Sequence, residues 1–117
     1  MQMNEVTFDE AVPIDGYGPG FFRVAGEVLQ GAVIVTAEKA KSWAGFDDPE
    51  SLLALKDEVD VLFVGMGREI AHLPRDLRVA LEQAEIGVEV MSSPSACRTY
   101  NVLVSEGRRV AVAALPV

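Results

Sequence analysis

The sequence predicts an α/β fold with an added β layer from its first third, and two observations support this prediction. Residues 60–115 alternate short apolar runs with amphipathic ones, in the order strand–helix–strand–helix–strand. Each unit is long enough for a crossover between parallel strands. Residues 6–35 instead hold short extended runs divided by glycine and proline, which is typical of an antiparallel meander. The length of 117 residues predicts a single domain over residues 1–117.

The first third contains the elements of the predicted meander. A short extended segment covers residues 6–8, and 16-GYGPG-20 is predicted to be a turn because three glycines and a proline disfavour regular structure. Residues 21–25 form the next extended run. The stretch 28-VLQGAVIV-35 is predicted to be one long strand, which the polar residues 36–41 end.

Capping residues and prolines mark the predicted helix starts of the second half. Asp48 can cap a helix, and the ring of Pro49 suits the first helical position. A second helix is predicted over residues 74–84, where leucine and alanine recur at helical spacing. The third helix is predicted to begin with Ser93 as its cap and to end near Gly107.

The strands of the second half are predicted over residues 60–64, 87–91 and 108–115. We expect the first two to be parallel neighbours, so that their carboxyl ends meet at one edge of the sheet. Open α/β sheets place ligands at such a crevice. Arg108 and Arg109, at the start of the last strand, would point to opposite faces of the sheet and cannot bind the same ligand together.

The charge of the chain excludes several classes of function. The formal net charge is −8, and residues 91–117 carry three arginines against one glutamate. An acidic chain without a basic stripe is a poor match for a phosphate backbone, so we expect no nucleic-acid binding. The basic C-terminal part could still bind one small anion or an acidic protein partner.

Cysteine usage and hydropathy indicate the compartment. The single cysteine, Cys97, rules out an internal disulfide and fits a reducing environment. The N-terminus lacks the features of a secretory signal, and the longest apolar runs have strand length, so no transmembrane segment is expected. These observations predict a cytoplasmic protein.

Five residues near the predicted crevice form the candidate ligand or partner site. The glycines of 65-GMGREI-70 follow a strand, but the third position of the dinucleotide motif is isoleucine, so no nucleotide cofactor is predicted. Amides of the first turn of the third helix and the side chain of Arg98 would suit a small anion. The candidate residues are Gly65, Gly67, Ser95, Arg98 and Thr99. The alternative is that Arg98 is exposed and bonds to a local carboxylate.

The remaining polar residues are predicted to have structural roles, with no catalytic residue and no metal ligand set. His72 is the only histidine, and no general base is identifiable for Cys97. Tyr100 and Asn101 lie on apolar lines of the third helix. We expect Tyr100 to pack in the core. Asn101 is expected to pin a neighbouring backbone segment, for example the Gly65–Gly67 turn, or alternatively to line a pocket.

Several segments carry a family resemblance. IDGYGPGFFRVAG, Trp43, DVLFVGMG, LP, GVEVM and ACRTYNVLVSEGRRVAVAALP occur in the order found in a small uncharacterised domain family that includes the mitochondrial complex I assembly factor 3. The chain resembles this family over nearly its whole length. It departs from the family at Met66, where threonine is frequent, and at Ser92-Ser93, where Asp-Thr is frequent.

The resemblance implies a three-layer α/β domain with a central mixed sheet and no established enzymatic activity. It also implies a protein partner, since the mitochondrial relative acts while a respiratory complex is built. We therefore expect a non-enzymatic binding or assembly domain without a cofactor. The alternative is a small-anion or metabolite-binding domain, which could be an enzyme, with its crevice between the 65–67 and 92–99 loops.

Overall fold

The computed structural model describes residues 5–7 and 9–117 and shows an α/β fold with three helices packed on strands. Its strands are β1 (Glu5–Thr7), β2 (Ile14–Gly18), β3 (Phe21–Val24), β4 (Glu27–Gln30), β5 (Ala32–Val35), β6 (Lys39–Trp43), β7 (Val61–Gly65), β8 (Gly87–Met91) and β9 (Val110–Ala114). Its helices are α1 (Pro49–Leu53), α2 (Arg75–Gln83) and α3 (Ser93–Ser105), and a 3₁₀ turn covers Gly45–Asp47. None of the helices in this described part is long and apolar enough to cross a membrane.

The main sheet is mixed, as expected. Its six strands lie in the order β1-β6-β5-β9-β7-β8. Strand β7 is parallel to both β8 and β9, whereas β5 is antiparallel to β6 and β9, and β6 is antiparallel to β1. Strands β2, β3 and β4 form a separate antiparallel sheet.

Apolar side chains on the two faces of the main sheet create three layers. Val33 and Val35 pack toward α3 and the small sheet, while Ala32 and Ile34 pack toward α1 and α2. This alternation follows from the two-residue period of a strand. The predicted three-layer fold with a central mixed sheet is therefore confirmed.

The first third departs from the predicted meander in three places. Residues 28–35 do not form one strand, because Gly31 has a positive φ of 78° and divides β4 in the small sheet from β5 in the main sheet. Residues 16–18 of the predicted turn continue β2, and only Pro19-Gly20 turns the chain. The polar residues 36–41 run into β6, whose lysines lie beside the buried Ala40. Of the predicted segment 6–8, Phe8 lies outside the described residues.

The helix ends follow the local sequence signals. The Asp48 side chain caps α1 by accepting a hydrogen bond from the Ser51 amide, with Pro49 in the first turn. Helix α3 ends in a Schellman turn, in which Gly107 has a φ of 80° and Arg108 N donates to Leu103 O over 3.1 Å. The last strand begins at Val110 rather than at residue 108, because this turn occupies the preceding residues.

Candidate functional site

The carboxyl ends of three parallel strands meet at one edge of the main sheet. Gly65 lies beside Met91 of β8 on one side and beside Ala114 of β9 on the other. The loop after β7 and the start of α3 therefore converge, as the sequence predicts. This edge is where an α/β sheet would hold a ligand.

Ser93 fills the space between these strand ends. Its side chain donates to Leu115 O over 2.6 Å and accepts from Gly67 N over 2.9 Å. A Cβ built on Gly65 would lie 2.7 Å from Ser93 Cα, so only glycine allows this close approach. We call Gly65, Gly67, Ser93 and Leu115 the Ser93 junction. The junction is filled by protein atoms.

The prediction that Ser93 caps α3 is wrong. Ser92 is the cap, with its Oγ accepting from Ser95 N over 3.4 Å. Ser93 lies inside the first turn and is only 1% exposed, because its hydroxyl joins two neighbouring backbone segments. Both serines have the local preference of a cap residue, and only the tertiary structure decides between them.

The backbone amides at the start of α3 already bond within the protein. Ser93 N donates to Gly67 O over 2.7 Å, and Ala96 N donates to Ser92 O over 2.9 Å. Pro94 has no amide hydrogen. Of the first-turn amides that the sequence assigned to a small anion, Ser95 N and Ala96 N thus both donate to Ser92, so an anion at this position would depend on side chains.

The five candidate site residues lie in three different places. Gly65 and Gly67 belong to the Ser93 junction, whereas Ser95 and Arg98 lie on the outer side of α3, where Arg98 Nη2 donates to Ser95 Oγ over 3.2 Å. Thr99 turns toward β8 and donates to the sulfur of Met91 over 3.7 Å. Arg98 is exposed and forms no ion pair with any described residue.

Asn101 bonds to the backbone of the small sheet. Its Oδ1 accepts from Ile14 N over 2.8 Å, and its Nδ2 donates to Ile14 O over 3.0 Å. The partner is therefore the start of β2 rather than the Gly65–Gly67 turn. The oxygen and the nitrogen of the side-chain amide are therefore both hydrogen-bonded to Ile14, so Asn101 ties α3 to the small sheet.

Tyr100 and Cys97 lie in the core between α3 and the main sheet. Tyr100 is fully buried, and its hydroxyl has no hydrogen-bond partner within residues 5–7 and 9–117. Burial raises the pKa of this hydroxyl. Burial also raises the pKa of the Cys97 thiol to about 12, although the nearby Arg98 guanidinium opposes the shift. A thiol in this state is protonated at neutral pH and is a poor nucleophile.

The other titratable residues singled out by sequence do not assemble into a reactive centre. His72 is exposed in the loop before α2. No group of three or more His, Cys, Asp and Glu residues suited to a metal ion occurs in the described ranges. Arg109 bonds to Asp57 O and Glu58 O, and its guanidinium lies 4.0 Å from the Asp60 carboxylate. This arginine joins the segment before β7 to the start of β9.

The sequence did not reveal an apolar groove between α1 and α2. We call it the α1–α2 groove. It has a volume of about 290 Å³. It is lined by Phe46, Pro49, Leu53, Pro74, Asp76, Leu77 and Ala80. The apolar residues of both helices match the pattern of a core face, so the sequence offers no signal for the gap that separates the two helices. The sequence feature closest to such a signal is the proline near the start of each helix, because Pro49 and Pro74 both line the groove.

Comparison with known proteins identifies relatives of the whole fold. A family model described as a protein of unknown function (DUF498/DUF598) matches residues 14–115. An uncharacterised protein of Rhodobacter capsulatus is 55% identical over 116 residues, covering 99% of this chain and 94% of that protein. Among solved structures, one described as an outer membrane protein from Bartonella henselae has a TM-score of 0.85 and 34% identity, covering 94% of this chain and 98% of that one.

A longer relative has a functional name. The NADH dehydrogenase (ubiquinone) 1 alpha subcomplex assembly factor 3 of Mus musculus is 29% identical over 116 residues. The match covers 93% of this chain and 63% of the mouse protein. The chain thus spans slightly less than two thirds of the assembly factor.

Proposed function

The chain belongs to the DUF498/DUF598 family of proteins of unknown function, and we propose that it is a non-enzymatic binding domain that assists assembly of a respiratory, complex I-like membrane complex. The name of the mouse relative supports this proposal. In the proposal the chain acts in the cytoplasm through a protein partner, without a cofactor and without nucleic acid.

The filled Ser93 junction is the observation that carries the non-enzymatic part of the proposal. The carboxyl ends of parallel strands are where an α/β sheet commonly holds a substrate. Here the Ser93 hydroxyl bonds to Gly67 N and Leu115 O, over 2.9 Å and 2.6 Å. A substrate at this position would have to displace a side chain that satisfies two backbone groups, which is costly. Recognition on an outer surface fits this arrangement better.

Co-purification from the native host tests the proposed function. The chain, tagged at its C-terminus and expressed from its own promoter, is isolated from gently solubilised cells, and bound proteins are identified by mass spectrometry. We expect subunits of a respiratory complex, enriched over a strain that expresses the tag alone. Recovery of the free monomer only, from both soluble and membrane fractions, would contradict the proposal. Fractionation of the same cells tests the cytoplasmic location.

A small-anion site at Gly65, Gly67, Ser95, Arg98 and Thr99 is the alternative function. One observation favours it, since the exposed Arg98 guanidinium bonds to a serine hydroxyl and not to a described carboxylate. Its charge is therefore available to a phosphate or carboxylate group.

The matched variants Arg98→Ala and Arg108→Ala test this alternative, because each removes one exposed arginine. Thermal shifts are measured with inorganic phosphate and with a panel of carboxylate and phosphate metabolites. If the alternative is right, a ligand stabilises the wild type and Arg108→Ala but not Arg98→Ala. Equal shifts for all three proteins, or none for any of them, would eliminate it.

A further inference from the structure

We propose that the α1–α2 groove binds a protein segment in which a large apolar side chain is flanked by lysine or arginine residues. This inference rests on the proposed function and specifies the surface and the partner chemistry for it. Three features of the groove support it: its apolar lining, its fixed wall, and nearby acidic residues that form no ion pair with a described residue.

The lining of the groove is apolar and partly open to solvent. Leu53 of α1 and Ala80 of α2 are half-buried, while Leu77 forms the buried floor. Asp76 is the one charged residue among those that line the groove. Clefts of this kind bind a large apolar side chain of a partner, because binding removes the apolar surfaces of both the cleft and that side chain from water.

One wall of the groove is held in place before any partner binds. Phe46 stands edge-on to the ring of Trp43, with ring centroids 5.5 Å apart. Trp43 is buried, and its Nε1 donates to Asp48 O over 3.1 Å. The 3₁₀ turn that carries Phe46 is therefore fixed at both ends. A preformed wall lowers the entropy that binding must offset.

Acidic residues lie on the groove or next to it in sequence. Asp76 is one of its lining residues, and Asp47 and Glu50 directly follow the lining residues Phe46 and Pro49. Asp47, Glu50 and Asp76 are exposed, and none of them forms an ion pair with another residue of the described chain. Successive helix residues are about 100° apart, so Arg75 and Arg78 lie on the flank of α2 that faces away from the groove. Consistently, Arg78 lines a separate cavity beside His72. The rim therefore attracts positive charge.

The charge of the rim decides between the possible occupants. A second copy of this chain would bring a further net charge of −8 toward an acidic surface, which is unfavourable. A segment of another protein with a large apolar side chain and flanking basic residues would fill the apolar groove and also pair its positive charges with the acidic rim. We therefore assign the groove to such a segment.

Binding of defined peptides to the purified chain tests the inference. The probe is a fluorescein-labelled amphipathic peptide of leucine and lysine, and its counterpart carries glutamate in place of lysine. By fluorescence anisotropy we expect the lysine probe to bind and the glutamate probe not to bind. Asp76→Lys turns an attraction into a repulsion and should weaken binding about tenfold.

Matched variants on α2 separate the groove from general charge effects. Glu82→Lys makes the same charge change on the opposite flank and should leave affinity within about twofold of the wild type. Ala80→Gln places an amide in the groove and should weaken binding, whereas Val79→Gln alters an exposed neighbour and should not. Failure of the wild type to bind the lysine probe, or equal effects within either pair, would overturn the proposal.

The same variants distinguish this inference from the proposed function. If Asp76→Lys and Ala80→Gln still co-purify with the respiratory complex at wild-type levels, the groove is not the docking site and the assembly role stands. If the wild type co-purifies with no other protein and yet binds the lysine probe through the groove, the assembly role is wrong and the groove remains a binding site for such a segment.

Discussion

Helices α3 and α2 both connect parallel strands of the main sheet, but the protein holds them in different ways. Polar side chains tie α3 to its surroundings, with Ser93 at the strand ends, Thr99 on β8 and Asn101 on β2. Helix α2 instead rests on the buried Leu77 and Leu81, and none of its side chains makes a hydrogen bond to a described residue.

The difference indicates a division of roles between the two helices. Satisfied polar bonds fix one arrangement of α3, because shifting the helix would leave buried groups without partners. Apolar packing secures the inner face of α2, and no charged side chain on its outer face forms an ion pair with a described residue. Changes in α3 should therefore alter stability, whereas changes on the side of α2 that lines the α1–α2 groove should alter recognition.

Ser93→Ala should have the largest effect of the α3 substitutions. The change removes two hydrogen bonds and leaves the buried Gly67 N and the partly buried Leu115 O without this partner. We expect the free energy of unfolding to fall by about 3 kcal/mol. Urea denaturation followed by circular dichroism measures this loss.

Ser105→Ala is the matched control for Ser93→Ala. Ser105 lies on the same helix but is exposed, and its hydroxyl donates to Val102 O within the helix. Its removal should cost no more than about 0.5 kcal/mol. Similar stabilities for the two variants would show that the Ser93 junction does not hold α3.

Asn101→Ala should have an intermediate effect that is local to the small sheet. Both bonds to Ile14 would be lost, and we expect the free energy of unfolding to fall by about 2 kcal/mol. Hydrogen exchange of the Ile14 amide should also become faster. Val102→Ala, at a neighbouring position that is 56% exposed, provides the control. Unchanged exchange at Ile14 would contradict the role assigned to Asn101.

The second half of the fold could be predicted because its signals are local. Asp48-Pro49 starts a helix and Gly107 ends one through their own backbone preferences. The division of residues 28–35 could not be predicted in the same way. The β-branched residues on both sides of Gly31 favour extended structure, so nothing local shows that β4 and β5 belong to different sheets.

The candidate site was harder to predict because it depends on tertiary contacts. The sequence predicts that Gly65 and Gly67 lie near the start of α3. They do so because β7 and β8 are parallel neighbours in the sheet. The sequence could not show that Ser93 occupies the space between them, since a cap serine and a buried serine have the same local sequence. The α1–α2 groove was missed for a related reason. Helical periodicity identifies the apolar face of Leu53 or Leu77 but not how closely two such faces approach.

Cys97 allows a test with the smallest expected effect, because it changes stability only in alkali. The pKa of its thiol rises from the ordinary value of 9.0 to about 12 on burial. Between these values the unfolded chain has lost the thiol proton and the folded chain keeps it, so stability falls as pH rises. At pH 10 we expect a loss of about 1 kcal/mol relative to pH 7 from this group. Urea denaturation at both pH values measures it.

Cys97→Ala separates the thiol from the other groups that titrate in alkali. Tyr100, whose pKa burial also raises, is present in both proteins and adds the same pH dependence to each. The stability of the wild type relative to Cys97→Ala should therefore be nearly constant below about pH 8 and decrease above it. A constant difference up to pH 10 would mean that the thiol ionises as readily in the folded chain as in the unfolded one. Helix α3 would then be packed less tightly than its polar bonds imply.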